Sequence, residues 1–296
     1  MNTRPSLREL GLSSGKKARL HRILREHGVR NGTAIFLPYD HGLEHGPRDF
    51  SGHPESADPR HVIKLALEGG FNGIAIQIGL ARKFYWEYAG EVPLVLKLNG
   101  KTDIPAAADP VSPVNATVEE AVRLGADAVG YTLYVGTPAQ ERDFAQYLRV
   151  REDAERFGMP LIVWSYPRGA AIDAKGGKDS FYAVDYAART ASELGADMVK
   201  VNFPRPDKRD GVPEAYRREF SPQQAIDAVV RSANRSLLLV SGGERAGDEA
   251  MLEKARQSME AGATGFIFGR NVFQRDHDES LRLVAQLKEI LAKYPS

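Results

Sequence analysis

With 296 residues and 42% hydrophobic content, the chain can bury a large core, as two average domains or as one α/β barrel of roughly 250 residues. Lysine and arginine (40) nearly balance aspartate and glutamate (39), so there is no basic field to hold nucleic acid or an anionic membrane, although a local cluster can still hold a small anion. There are no cysteines, which excludes disulfides, thiolate metal sites and cysteine nucleophiles, and residues 1–30 lack the apolar segment of a signal peptide or membrane span. A cytoplasmic protein is expected.

In chain order, residues 6–28 read as a basic amphipathic helix ahead of the main fold, a helical extension over 1–30. The apolar run 34–42 stops abruptly in polar residues, as a buried parallel strand does at its carboxyl end. Asp58-Pro59 marks a helix start, with the aspartate as N-cap and proline in the first turn. A strand at 73–79, a helix around 80–89 and a strand at 92–100 follow. Thr117 to Glu120 form a capping box before the strand 126–134. A charged helix near 138–157 leads to the strand 159–167, and a helix at 181–194 to the strand 198–203. Ser221-Pro222 opens a helix before the strand 237–243; the helix near 248–261, the strand 264–270 and an amphipathic helix at 278–293 end the chain.

Eight apolar strands, each followed by a helical segment, outline a (β/α)8 TIM barrel, read here as one domain over 1–296 with an N-terminal extra helix. The junctions GFNGI (70–74), GADAV (125–129), GADMV (195–199) and GATGF (262–266) share one pattern of helix end, glycine, small or polar turn and apolar strand, and they precede alternate strands. An open doubly wound sheet would carry a GxGxxG turn after its first strand, and DHGLEHGP lacks that spacing.

In a barrel, polar residues at strand carboxyl ends gather on one face. Those ends supply Asp40, His41, Glu44, His45 and Asp49, then Lys97, Asn99 and Lys101, then Tyr131 and Tyr134. The fifth strand adds Trp164, Tyr166 and Arg168, and the sixth Lys200 and Asn202. Alternation puts Met198, Lys200 and Asn202 on one face, with Val199, Val201 and Phe203 on the other. Burial of Lys200 would lower its pKa and leave an amine able to attack a carbonyl, unless its head reaches solvent. Ser241-Gly242-Gly243 and Gly269-Arg270, at the last two strand ends, suit a phosphate. Lysine, carboxylate and tyrosine are the parts for imine chemistry. Lys97 and Lys101 are rival amines, and the Asp40-His41-Glu44-His45 cluster has donor types that suit zinc or manganese.

LPYDHGLEHGP, LVLKLNGKT, VEEAVRLGADAVGYTLY, VWSYPRG, ELGADMVKVN, SGG and GRNVFQR, spread over residues 34–275, together resemble the archaeal-type class I fructose-bisphosphate aldolases. The resemblance implies a metal-independent, cofactor-free Schiff-base enzyme that reversibly cleaves fructose 1,6-bisphosphate in glycolysis and gluconeogenesis. It implies Lys200 as the imine lysine, Tyr166 as proton donor and acceptor, and Asp40 against the reacting hydroxyl or nitrogen. It places substrate contacts at His41, His45, Asp49, Trp164 and Arg168, and the phosphate site at Ser241, Gly242, Gly243, Gly269 and Arg270. A sugar phosphate is the partner expected, with no nucleic acid and no membrane, and the protein is expected to be a homo-oligomer. A transaldolase-like transferase of the 2-amino-3,7-dideoxy-heptulosonate synthase type is the rival on the same scaffold.

Two features depart from the pattern. Asn202 stands where some relatives carry a second basic residue, weakening one expected phosphate contact. The segment 205–220 is longer than the family needs, and its Arg205 or Lys208 could restore the charge.

Overall fold

In the computed structural model, which describes residues 4–105, 110–242 and 247–296, eight parallel strands close into a barrel in sequential order. They are β1 (Ala34–Tyr39), β2 (Gly73–Gln77), β3 (Leu94–Lys97), β4 (Ala128–Val135), β5 (Leu161–Pro167), β6 (Met198–Asn202), β7 (Leu237–Ser241) and β8 (Gly265–Ile267). Pairing of Ala34 with Gly265 closes the ring. The register sets Trp164 beside Lys200 and Asn202 beside Ser241. Helices occupy the segments between strands, so this is the (β/α)8 architecture the strand count predicts.

Alternation along each strand divides the core in two. Phe36, Ala75, Val95, Ile162, Met198 and Leu239 fill the barrel, while Ile35, Ile74, Val199 and Val201 face the helices. The strands are shorter than the apolar runs, because the polar strand ends leave the ladder to enter loops; β8 keeps only three residues before the chain coils at Arg270–Phe273. The expected caps form. Thr117 and Glu120 make a reciprocal capping box, Ser221 and Gln224 make another, and Asp58 accepts from Arg60 N.

The N-terminal helix is shorter than its charge pattern suggests. It spans Ser14–His21, capped by Ser13, and widens into a π turn at Arg22–Glu26. Its Leu20, Ile23 and Leu24, with Leu10, join the barrel-interior cluster and so plug the amino-terminal mouth. The repeated junctions hold this plug. Asp197 bonds to Lys16, Asp127 lies 3.4 Å from Arg22, and Asn72 donates to the carbonyls of Ile23 and His27. In each junction the backbone N–H of that polar residue bonds the preceding strand, as Asp197 N does to Leu161 O at 3.1 Å. Gly195 must be glycine here, since its φ of 93° turns the helix end into β6.

The long segment after β6 packs outward. Tyr216 Oη donates to Asp185 at 2.6 Å, and Phe220 meets the Phe181 ring at 4.9 Å, both on the helix Phe181–Glu193. Among the described residues no helix is long and apolar enough to cross a membrane.

Candidate active site

The carboxyl-terminal strand ends surround one cavity of about 270 Å3. β6 delivers Lys200 to its floor, 6% exposed. Lys200 Nζ lies 5.3 Å from the Trp164 ring centre and 5.1 Å from that of Tyr166, and it has no hydrogen-bond partner among the described residues. Burial, with help from the charges of Lys97 and Arg270 and against Asp40 and Glu44, brings its pKa down to about 7. The free amine is therefore within reach at neutral pH, where an ordinary lysine is an ammonium.

β3 delivers the rival lysine beneath that floor, outside the cavity lining, where it is held differently. Lys97 is fully buried, and its ammonium donates to Glu44 at 3.1 Å, Thr132 Oγ1 at 2.7 Å and the Asn99 carbonyl at 3.3 Å, with Asp40 at 3.4 Å. Burial pulls its pKa down, but Glu44 and Asp40 more than reverse this, and it stays charged. A permanently protonated amine is no nucleophile. Lys101 points to the Thr102 carbonyl and does not line the cavity.

Asp40, at the end of β1, is buried; burial raises its pKa, but Lys97, His41 and Lys200 together hold it well below the usual carboxylate range. His41 is kept neutral, its pKa pushed down by burial to about 3. Tyr166 from β5 moves the other way: burial, then Asp40 and Glu44, push the phenol well above its ordinary pKa. The free site therefore offers an ionised Asp40 and a protonated Tyr166. Arg168 stacks over Tyr166 at 5.1 Å and Tyr134 at 6.0 Å, while its guanidinium donates to the Pro167 carbonyl.

The rest of the rim is built by β6 to β8. Ser241 Oγ donates to Asn202 Oδ1 at 2.8 Å, and Asn202 Nδ2 donates to Asp179 at 2.6 Å. Gly242, Gly269 and Arg270 complete this wall, and the Arg270 side chain has no partner among the described residues. A Cβ at Gly269 would stand 2.4 Å from His41 Cε1, so the rim closes only around a glycine.

Residues 34–275 match the family described as DeoC/LacD family aldolase. The chain belongs to this family. It is 41% identical over 264 residues to the class 1 fructose-bisphosphate aldolase of Thermoproteus tenax, covering 89% of this chain and 91% of that one. The class 1 enzyme of Halobacterium salinarum is 37% identical over 248 residues, 84% of this chain and 87% of its own. A solved archaeal fructose-1,6-bisphosphate aldolase, whose catalytic lysine is covalently bound to the carbinolamine intermediate of its substrate, superposes with a TM-score of 0.79. It is 39% identical, over 92% of this chain and 99% of that one.

In this aldolase, then, the sequence-derived residues Asp40, His41 and His45 gather with Trp164, Tyr166 and Arg168 on one half of the rim. Lys200, Asn202, Ser241, Gly242, Gly269 and Arg270 gather on the other. Asp49 stands back from the cavity, 3.4 Å from His45, because it lies on a separate turn at Pro47–Phe50. Gly243 lies outside the described residues. Tyr131 faces the helix layer, donating to Asp143 at 2.6 Å, while Tyr134 does line the cavity. Of the acidic cluster, Asp40 and Glu44 are engaged by Lys97, and no three His, Asp or Glu side chains among the described residues are arranged to hold a metal ion.

The expectation that Arg205 or Lys208 supplies the charge absent at Asn202 fails. Arg205 pairs with Asp207 away from the cavity, and neither residue reaches it. A cation besides Arg270 that does line the cavity near Asn202 is Lys178, which no sequence motif marks; it is held by Asp179 at 2.7 Å, one step along the bonds from Asn202. The signal available was a Lys-Asp pair in the glycine-bearing segment between β5 and its helix, on the side where loops build the site. Glu44 appeared in the sequence only as a possible metal ligand, and its pairing with Lys97 was not readable there.

Proposed function

We propose that this aldolase works through an imine on Lys200 and reversibly cleaves fructose 1,6-bisphosphate to dihydroxyacetone phosphate and glyceraldehyde 3-phosphate, a step shared by glycolysis and gluconeogenesis. The observation that carries the reading is Lys200 itself: a buried amine with its pKa near 7, unpartnered, beside Tyr166 and Trp164 in a cavity rimmed by cations. The neutral amine adds to the C2 carbonyl, and loss of water gives the iminium. Cleavage of C3–C4 then needs the proton of the C4 hydroxyl removed, and the resulting enamine needs a proton at C3. Tyr166, protonated in the free site, is the group we assign to these transfers. It gives its proton to the carbinolamine hydroxyl as that leaves as water, the phenolate so formed takes the C4 hydroxyl proton, and the same proton is returned to C3. The iminium cation offsets the burial and the carboxylates that raise its pKa. Asp40, ionised and near the same centre, is the competing base for the hydroxyl.

Ser241, Gly242, Gly269 and Arg270 are assigned to one phosphate, and Arg168 and Lys178 bring positive charge to the rest of the rim. His41 and His45 are assigned contacts with the sugar hydroxyls; Trp164 walls the imine. The test is release of both triose phosphates from fructose 1,6-bisphosphate with EDTA present. Borohydride reduction with dihydroxyacetone phosphate should leave one adduct, mapped by mass spectrometry to Lys200. An adduct on Lys97 or Lys101, or none, would sink the assignment. Turnover only when a second aldehyde is supplied would favour the transferase.

A further inference from the structure

Lys97 is a charge that the imine mechanism above does not use, and few groups in the molecule cost more to bury. Its side chain is 0% exposed, yet it keeps four oxygen partners from three elements: Asp40 and Glu44 after β1, Asn99 after β3, and Thr132 on β4. Such a set keeps an ammonium in place where desolvation alone would neutralise it. The packing around it is also specific. Lys97 Nζ lies 5.1 Å from the Trp164 ring centre, and Lys200 Nζ lies 5.3 Å from the same ring. Gly130 on β4 gives both side chains room: a Cβ there would stand 2.7 Å from Trp164 and 3.1 Å from Lys97 Cδ.

We propose that Lys97 is a positioning residue, a built-in counter-cation that pairs with Asp40 and Glu44 and discourages a second positive charge on Lys200. It touches neither the imine carbon nor the proton in flight; it acts through its neighbours. Among the described residues, Asp40 and Glu44 favour the Lys200 ammonium and Lys97 and Arg270 oppose it, while His41 and the Tyr166 phenol are the further titratable groups against it. Facing Lys97 are Glu44, Asp40 and, more weakly, Tyr134. Removing Lys97 therefore leaves Lys200 facing two carboxylates with one fewer cation against them, and the amine should protonate more readily. The proposal rests on Lys200 being the imine lysine only for its kinetic consequence.

The test titrates Lys200 directly, by the pH dependence of its reductive methylation with formaldehyde and cyanoborohydride, read by mass spectrometry. This needs no aldolase turnover, so it remains decisive even if the substrate assignment fails. In Lys97→Met the midpoint should move up by about one pH unit or more, a fall of about fivefold or more in the free-amine fraction at pH 7. In the double variant Lys97→Met, Glu44→Gln, which has the net charge of the original site, part of that shift should return. The double variant also carries the test if the single one does not fold. In parallel, the acid limb of kcat/KM should move with the labelling midpoint. A midpoint unchanged in the folded variants, with rates lowered equally at every pH, would overturn the proposal and leave Lys97 a structural ion pair.

Discussion

At the amino-terminal mouth of the barrel, Lys16 is 1% exposed and bonds Asp197 at 2.9 Å and Glu155 at 3.0 Å. At the carboxyl-terminal mouth, Lys200 is 6% exposed and meets no hydrogen-bond partner among the described residues. Asp197 immediately precedes β6 and Lys200 is its central residue, three positions on. At the lower end Asp197 also accepts from Leu161 N at 2.8 Å, tying the start of β5 to the start of β6. At the upper end, His41 Nδ1 and Trp164 Nε1 are buried without a hydrogen-bond partner among the described residues. Burying a charge is costly in both places. A lysine whose cost is offset by partners supports the fold, whereas one left without partners gives up its proton and becomes a reagent.

The comparison can be broken most sharply at Lys200. Lys200→Met should abolish turnover, a loss of about 10⁶-fold on the scale of typical enzyme acceleration, with no loss of stability in urea unfolding, because a buried unpartnered amine contributes none. A large fall in stability would mean that the upper lysine is structural after all.

Next in size is the proposed proton carrier. Tyr166→Phe deletes only the hydroxyl, and turnover should fall by about 10²–10⁴ while borohydride still traps substrate on Lys200. Near-normal turnover in that variant, with Asp40→Asn inactive, would exchange the two roles.

At the lower mouth the expected effect is on stability. Lys16→Met leaves Asp197 buried without its cation and should cost about 3 kcal/mol in urea unfolding, the low end for a broken buried pair. Burial already raises the pKa of Asp197, so the orphaned carboxyl can take up a proton and limit the loss. Turnover of the folded fraction should be retained. A selective loss of turnover with normal stability would erase the contrast between the two ends.

A smaller effect is expected at the phosphate wall. Arg270→Ala removes a charge-assisted contact of about 1.5–3 kcal/mol and should weaken apparent affinity for phosphorylated substrates about ten- to a hundredfold. Equal weakening for an unphosphorylated analogue would make Arg270 merely structural.

The smallest effect is that of pH. Only the neutral amine attacks, so with Lys200 near pKa 7 activity is present above that pH and is lost as the amine protonates below it. Between pH 8 and pH 7, kcat/KM should fall roughly twofold, and by pH 6 about tenfold from its plateau. A plateau extending unchanged to pH 6 would place the working amine elsewhere.

Much of this was legible in local sequence. The alternation of strand and helix signals gives the barrel, because each element must bury one face and eight such units close only one way in order. The caps at Asp58, Thr117 and Ser221 are local hydrogen bonds and formed where their residues stand. The period of two along β6 was enough to turn Lys200 inward between Met198 and Asn202, away from the valines. The N-terminal helix is shorter than its basic periodicity, which begins ahead of Ser13, the residue that caps it.

What tertiary structure alone decided is which strand-end groups meet, and in which charge state. Lys97 and Lys200 read alike in sequence; they differ because Glu44, 53 positions from Lys97, reaches one amine and not the other. Asp49 belongs to the same motif as Asp40 yet stands outside the cavity, while Lys178, in no motif, lines it. Arg205 turned outward because Asp207 was the nearer counter-charge. A pKa depends on burial and on charges within a few ångströms, and in a closed barrel those neighbours come from strands far apart in the chain. Local sequence sets the direction in which a side chain points, and only the closed ring sets what it meets there.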